Sequence, residues 1–176
     1  LPVVTGSVAI TVVWKWILHP YYGLLNQVAG TGTFDWLGNQ RTAIWFIILI
    51  LFTTSIGQPI VLYVAALGNV DQSLVEAAQV DGATKLQVFW KIKWPQIMPT
   101  TLYVLVITTI NSFQCFALIQ LLTKGGPLNS TMTIMYQVYD TAYRLNDLGY
   151  ANAIGVVLAI IIAIFSAVQF KLAKTE

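Results

Sequence analysis

Glu76-Ala77-Ala78-Gln79-Val80-Asp81-Gly82-Ala83 decides the reading of this chain, followed by Phe89, Ile92, Pro95 and Pro99. It belongs to the one long charged segment of an otherwise apolar sequence. Asp71, Glu76, Asp81, Lys85, Lys91 and Lys93 all fall between residues 68 and 98. The chain has 176 residues, 57% hydrophobic and 9% charged, with a mean hydropathy of +0.72. Soluble domains carry roughly 25% charged residues. The composition and the long apolar runs therefore indicate an all-α integral membrane protein. A segment that stays polar between two spans has its work outside the bilayer. Within it, Gln72 to Val80 reads as a short helix with Asp71 or Ser73 as N-cap. Gly82 stands where that helix ends and the chain turns. Thr84 to Trp90 reads as a second short helix, and Pro95 and Pro99 mark entry into the next span.

Four apolar runs surround the segment, at about 3–18, 43–67, 100–122 and 151–170. The first is near the lower limit for a crossing, roughly 17–25 residues. Trp14 and Trp16, with Tyr21 and Tyr22, form an interfacial belt in which Lys15 can snorkel outward. His19-Pro20 ends this helix, and His19, with no carboxylate or cysteine near it in sequence, reads as an interfacial loop residue. The second run is polar at its centre, Thr53-Thr54-Ser55-Ile56-Gly57-Gln58-Pro59. A proline there removes a backbone hydrogen bond, and the freed carbonyl needs a bundle interior or a water-filled cavity. In the third run Thr108, Asn111, Ser112 and Cys115 follow i, i+3, i+4, i+7 spacing, which predicts one shared helix face. Two polar patches at one depth favour a substrate path over simple interhelical hydrogen bonding. Lys124-Gly125-Gly126-Pro127 is a sharp turn. Beyond it Met132, Met135, Tyr136 and Tyr139 predict a helix that lies on the outer surface or dips back into the bundle, the surface position being the expected one. The last run is uniformly aliphatic.

Several function classes are excluded or disfavoured, an ion-coupled secondary transporter remaining the alternative reading. The net charge is +2 and the basic residues are dispersed, so there is no nucleic-acid footprint. Cys115 is the single cysteine, which leaves no intrachain disulfide and no cysteine-based metal site. The chain carries no G-x-x-x-x-G-K-[ST] phosphate loop. An ion-coupled transporter commonly keeps an ionisable residue deep in a span, and the span centres here hold none. No nucleophile–base pair supports a membrane enzyme. The chain opens on Leu1-Pro2 without a signal-peptide pattern, and a partial chain is expected. Lys85, Lys91, Lys93, Lys171 and Lys174 lie on one side of four spans, against Lys15, Arg41, Lys124 and Arg144 on the other. The positive-inside rule puts the first set in the cytoplasm by a narrow margin.

Glu76-Ala77-Ala78, Asp81-Gly82-Ala83, Phe89, Ile92, Pro95 and Pro99 together resemble the EAA loop of ABC importer permeases. Trp94 stands where that pattern usually has leucine, which keeps a bulky apolar residue before Pro95. Leu1-Pro2, Trp14-Lys15-Trp16 with Asn26, Gly57 and Pro59, the stretch 113–123 and Gly125-Gly126-Pro127 are similar to the carbohydrate-type permeases. Within these the chain resembles the branch of the maltose F-subunit and the glycerol-3-phosphate A-subunit, whose members have about two further spans before the position of Leu1.

The resemblance implies a type I ABC importer transmembrane domain in the cell membrane, a single domain of which residues 1–176 are a part. Segment 68–98 would be the cytoplasmic EAA loop, with Glu76, Ala77, Ala78, Asp81, Gly82 and Ala83 docking an ATPase subunit. The implied partners are a second permease subunit in a heterodimer, a cytoplasmic ABC ATPase dimer, an external solute-binding protein and membrane lipid. No cofactor is expected on this chain, ATP and Mg being held by the ATPase. The implied role is a transport subunit, not an enzyme, that forms the path for a sugar or related polyol. The residues implied for that path are Thr53, Ile56, Gly57, Ile60, Thr108, Asn111, Ser112 and Cys115.

Overall fold

In a bilayer every backbone N–H and C=O needs a partner, and a helix provides it within one segment. The computed structural model describes residues 6–173, and among these there are ten α-helices, two short π-turns and no strand. The opening of the expected first span and the tail beyond Ala173 lie outside the described residues. Among the described residues three stretches are long and apolar enough to cross a membrane: Gln40–Gly68, Lys85–Leu122 and Leu148–Lys171.

The helices run α1 Ser7–Ile17, α2 Leu24–Ala29, α3 Gln40–Ser55, α4 Gly57–Gly68, α5 Gln72–Val80 and α6 Lys85–Val88. A π-turn, Phe89–Lys93, leads into α7 Trp94–Phe113, followed by α8 Ala117–Leu122 and α9 Ile134–Tyr139. A second π-turn, Asp140–Arg144, precedes α10 Leu148–Ala173. Asn39 caps α3 by accepting from the Arg41 N–H at 3.0 Å. Pro59 offers no N–H to the carbonyl four residues back at Ser55, and Ser55 is where α3 ends.

The third run differs from its expected form at both ends. Its helix begins well before residue 100 and continues without a break from Lys85 to Phe113. Pro95 and Pro99 do not separate a short helix from a span. The Trp94 N–H reaches back five residues to the Phe89 carbonyl, and this wider turn passes the chain into the proline-bearing helix. At the other end the helix stops at Phe113 and resumes at Ala117.

α7 packs between α4 and α10, while α1 and α3 pack on α8. The Gln169 amide donates to Thr109 Oγ1 at 2.8 Å, and Phe113 meets Phe165 at 5.6 Å between ring centres. Two cores result. One joins Leu18, Ile47, Ile50, Leu118, Ile119 and Tyr136. The other joins Val70, Val75, Val88 and Ile97, with Tyr63, Ala66, Ala78, Ala83, Ile92 and Trp94 around it. The second core lies where the polar segment meets the spans. Burial from water is worth about 1.5–3 kcal/mol for a valine-sized side chain there. Between spans, where lipid is as apolar as leucine, close packing and hydrogen bonds do that work.

The tyrosine-rich helix takes the inward position, against the expectation of a surface helix. Tyr136 is buried in the first core and Tyr139 lies 4.8 Å from Phe116. Asp140 is buried too and pairs with Arg144 at 3.1 Å. At this end of the bundle Asn26 is a hub, 4% exposed. Its amide donates to the Pro20 and Phe34 carbonyls, and its oxygen accepts from Thr31 and Trp36.

Candidate functional site

The polar segment is built by three local devices. The Asp71 carboxylate caps α5, accepting from the Ser73 N–H at 2.9 Å and its hydroxyl at 2.7 Å. The Ser73 hydroxyl and N–H hold this carboxyl below its ordinary value. The Asp71 N–H in turn donates to Gln96 on α7, tying the start of α5 to the spanning helix. At the other end of α5, Gly82 takes φ +79°. Its N–H donates to Gln79 and the Ala83 N–H donates to Ala78, at 3.0 and 2.9 Å. This is a Schellman stop, with Ala83 and Ala78 both turned onto the second core. Thr84 and Gln87 then form a reciprocal capping box that starts α6.

These devices divide the six residues implied for ATPase docking. Glu76, Ala77, Asp81 and Gly82 face solvent, and neither carboxylate makes an ion pair within the described residues. Ala78 and Ala83 are half-buried against the protein's own core. Their small size serves α5–α6 packing. A groove of about 330 Å³ runs beside them, lined by Asp81, Gly82, Gln87 and Lys91 as well as apolar residues.

The second site lies at the break between α7 and α8. A cleft of about 310 Å³ is lined by Thr11 of α1, Leu51 and Thr54 of α3, Asn111 of α7, and the stretch 114–118. The unwound backbone is not left open, because the Thr133 hydroxyl donates to the Cys115 carbonyl at 2.9 Å. Irregular backbone at membrane depth is tolerated where it is buried in protein or lines a cavity.

Of the eight residues implied for the path, Asn111 and Cys115 line this cleft. The expected common face keeps Thr108, Asn111 and Ser112 on α7, but the helix ends at Phe113 and Cys115 belongs to the unwound stretch. Thr108 and Ser112 turn their hydroxyls onto the Val104 and Thr108 carbonyls of their own helix. Thr53 does the same with Ile50. Gly57 is half-buried, whereas Ile56 and Ile60 are exposed at the surface of this chain. Thr11, Thr54 and Gln114 line the cleft without having been predicted. Thr54 and Gln114 stood within the polar runs, and Thr11 is a buried polar residue in an apolar helix. Among the described residues no three His, Cys, Asp or Glu gather to hold a metal ion.

The fold and these two sites define a multi-pass helical membrane component, with a polar cleft among the helices and a capped segment beyond them. The model of the family described as binding-protein-dependent transport system inner membrane component matches residues 1–175, and the chain belongs to this family. It is thus a multi-pass protein of the inner membrane, in the class of ABC transporter permeases. The multiple sugar-binding transport system permease protein MsmF of Streptococcus mutans is 33% identical over 177 residues, covering 98% of this chain and 60% of that protein. The sn-glycerol-3-phosphate transport system permease protein UgpA of Salmonella typhimurium is 29% identical, covering 100% and 61%. A solved bacterial ABC transporter that imports the acidic polysaccharide alginate shares the fold, with a TM-score of 0.82 at 23% identity over 99% of this chain and 62% of that one. The chain spans about three fifths of the length of these relatives.

Proposed function

We propose that the chain forms part of the permease of an ATP-driven importer for a sugar or related polyol, and couples to a separate ATPase through the loop at residues 68–98. One observation carries this reading. The helix that Thr84 starts beside the capped segment runs unbroken to Phe113, at the edge of the polar cleft. Motion imposed on α5 and α6 is therefore delivered to the residues that line the cleft.

The chemistry of each end suits its part. Glu76, Asp81 and the groove beside Gly82 offer unpaired carboxylates and a shaped recess to a protein with basic groups. That protein is an ABC ATPase dimer on the cytoplasmic side, and it holds the ATP and Mg. Asn111 and Gln114 offer amide donors and acceptors without charge, which match the hydroxyls of a neutral sugar. A second permease subunit completes the path, against the exposed apolar faces of the spans. An external solute-binding protein delivers the solute. A solved relative was crystallised with an alginate pentasaccharide-bound periplasmic protein.

The test uses the full-length protein reconstituted with its partner subunits. Glu76→Lys with Asp81→Lys removes the copurifying ATPase and, with it, uptake of labelled sugar. Asn111→Leu keeps the ATPase and lowers uptake about tenfold, the cost of one buried polar contact. Retention of ATPase and full uptake by the double variant refutes the coupling assignment. Full uptake by Asn111→Leu refutes the path.

A further inference from the structure

We propose that the helix face formed by Leu86, Phe89, Trp90 and Trp94, flanked by Lys85 and Lys93, seats an anionic phospholipid at the membrane surface. The inference rests on α7 being a membrane-spanning helix and on the proposed ATPase taking the Glu76–Gly82 side of the polar segment, away from this face.

The position of the face follows from charge. Residues 94–123 contain no charged side chain, and Lys93 and Lys124 bound that stretch. A crossing needs about 20 residues, so the hydrocarbon layer lies within this stretch, with Lys93 and Trp94 on its outer side. Trp90 and Leu86 stand one and two turns farther out on the same continuous helix. They nevertheless stay 55% and 70% exposed. Water is a poor environment for such a face, and the headgroup layer is where tryptophan collects.

The π-turn shapes the face. Phe89 meets Trp90 at 5.4 Å, Trp90 meets Trp94 at 5.4 Å, and Phe89 meets Trp94 at 6.2 Å. The three rings form one aromatic block whose inner member, Trp94, packs on the second core while Trp90 remains outward. Val88 and Ile92 point the other way, into the core, and line the Asp81–Lys91 groove. The aromatic block is thus a different face from the groove.

Charge complementarity selects the occupant. Between Thr84 and Thr123 the chain has Lys85, Lys91 and Lys93 and no acidic residue. None of the three lysines makes an ion pair within the described residues. Lysine ammonium groups beside an aromatic surface just outside the hydrocarbon layer fit a phosphate-bearing lipid with net negative charge, its headgroup resting against the rings and the lysines.

The experiment places the full-length chain, assembled with its partner subunits, in nanodiscs containing a photoreactive phosphatidylglycerol. The expected result is a label on the peptide from Leu86 to Trp94, and little label there from the matching phosphatidylcholine probe. Lys85→Gln and Lys93→Gln each reduce the label roughly fivefold, the strength of one basic residue near an anionic surface. The probe comparison needs no substitution, so a misfolded variant does not decide it. Equal labelling by both probes, or no label on this peptide, overturns the proposal. Label that appears only once the ATPase has been stripped away also overturns it, and makes the face a protein contact.

Discussion

Replacing Gly82 by alanine separates backbone conformation from space. A methyl group added there would meet no heavy atom within 4 Å. The glycine is needed for its φ of +79°, in the region that a Cβ disfavours by about 1–2 kcal/mol. The chain has one escape, which is to flip to negative φ and give up the Gly82-to-Gln79 and Ala83-to-Ala78 hydrogen bonds. At about 1 kcal/mol each, that route costs about 2 kcal/mol. Either way the end of α5 weakens by about 1–2 kcal/mol, so local opening rises roughly tenfold. Hydrogen exchange of the α5 amides, measured by mass spectrometry on the full-length protein in nanodiscs, reads this directly. Exchange rises for Gly82→Ala and rises less for Gly82→Asn, because asparagine visits the left-handed region. It rises most for Gly82→Val, whose branched side chain resists that region. Exchange in α10 stays unchanged. Alanine and valine variants that exchange like the wild type, or an asparagine variant as fast as valine, would refute the reasoning.

Asn26→Leu strands the Trp36 and Thr31 donors and two carbonyls, and lowers stability by about 3 kcal/mol or more. An unchanged unfolding midpoint in detergent would show that the hub is dispensable. Asp71 is held below its ordinary value, chiefly by the Ser73 hydroxyl, so its support of α5 is present above the unfolded pKa and fades as pH falls through the folded one. Exchange in α5, corrected for intrinsic rate, therefore accelerates on acidification. Asp71→Asn keeps a cap and removes that response, and an equal acid response in the variant sinks the assignment. Cys115 lines the cleft, so a small polar thiol reagent labels it in the assembled transporter and the transported sugar slows the reaction. Indifference of the labelling rate to sugar counts against the cleft as the path.

The capped segment was legible because its signals are local. Asp71, Gly82 and the Thr84–Gln87 pair each act on neighbours within a few residues, and residue type alone announces them. Pro95 sits in the first turn of α7, as an entry proline should, and what the sequence hid is that the helix already runs in from α6. The wider turn through Phe89–Lys93, which lets the helix continue, depends on a five-residue backbone bond that no side chain advertises. The break at 114–116 was hidden for the opposite reason. Thr108, Asn111, Ser112 and Cys115 have ideal helical spacing, and the group that satisfies the unwound backbone there, the Thr133 hydroxyl on the Cys115 carbonyl, is distant in sequence. Ala78 and Ala83 look like contact residues in sequence, and the fold that turns them inward is tertiary.

The unbroken run from Lys85 to Phe113 has a mechanical consequence. At about 1.5 Å per residue it is a rod about 43 Å long, whose inner part, α7, is held between α4 and α10. The α10 contacts grip it toward the Asn111 end, where Thr109 and Phe113 meet Gln169 and Phe165. A rod gripped there has its longer free arm on the Gln87 side, so a small tilt moves Gln87 farther than Asn111. The unwound residues 114–116 act as the joint at the far end, so α8 and the Asn26 hub can stay still while the wall of the cleft moves.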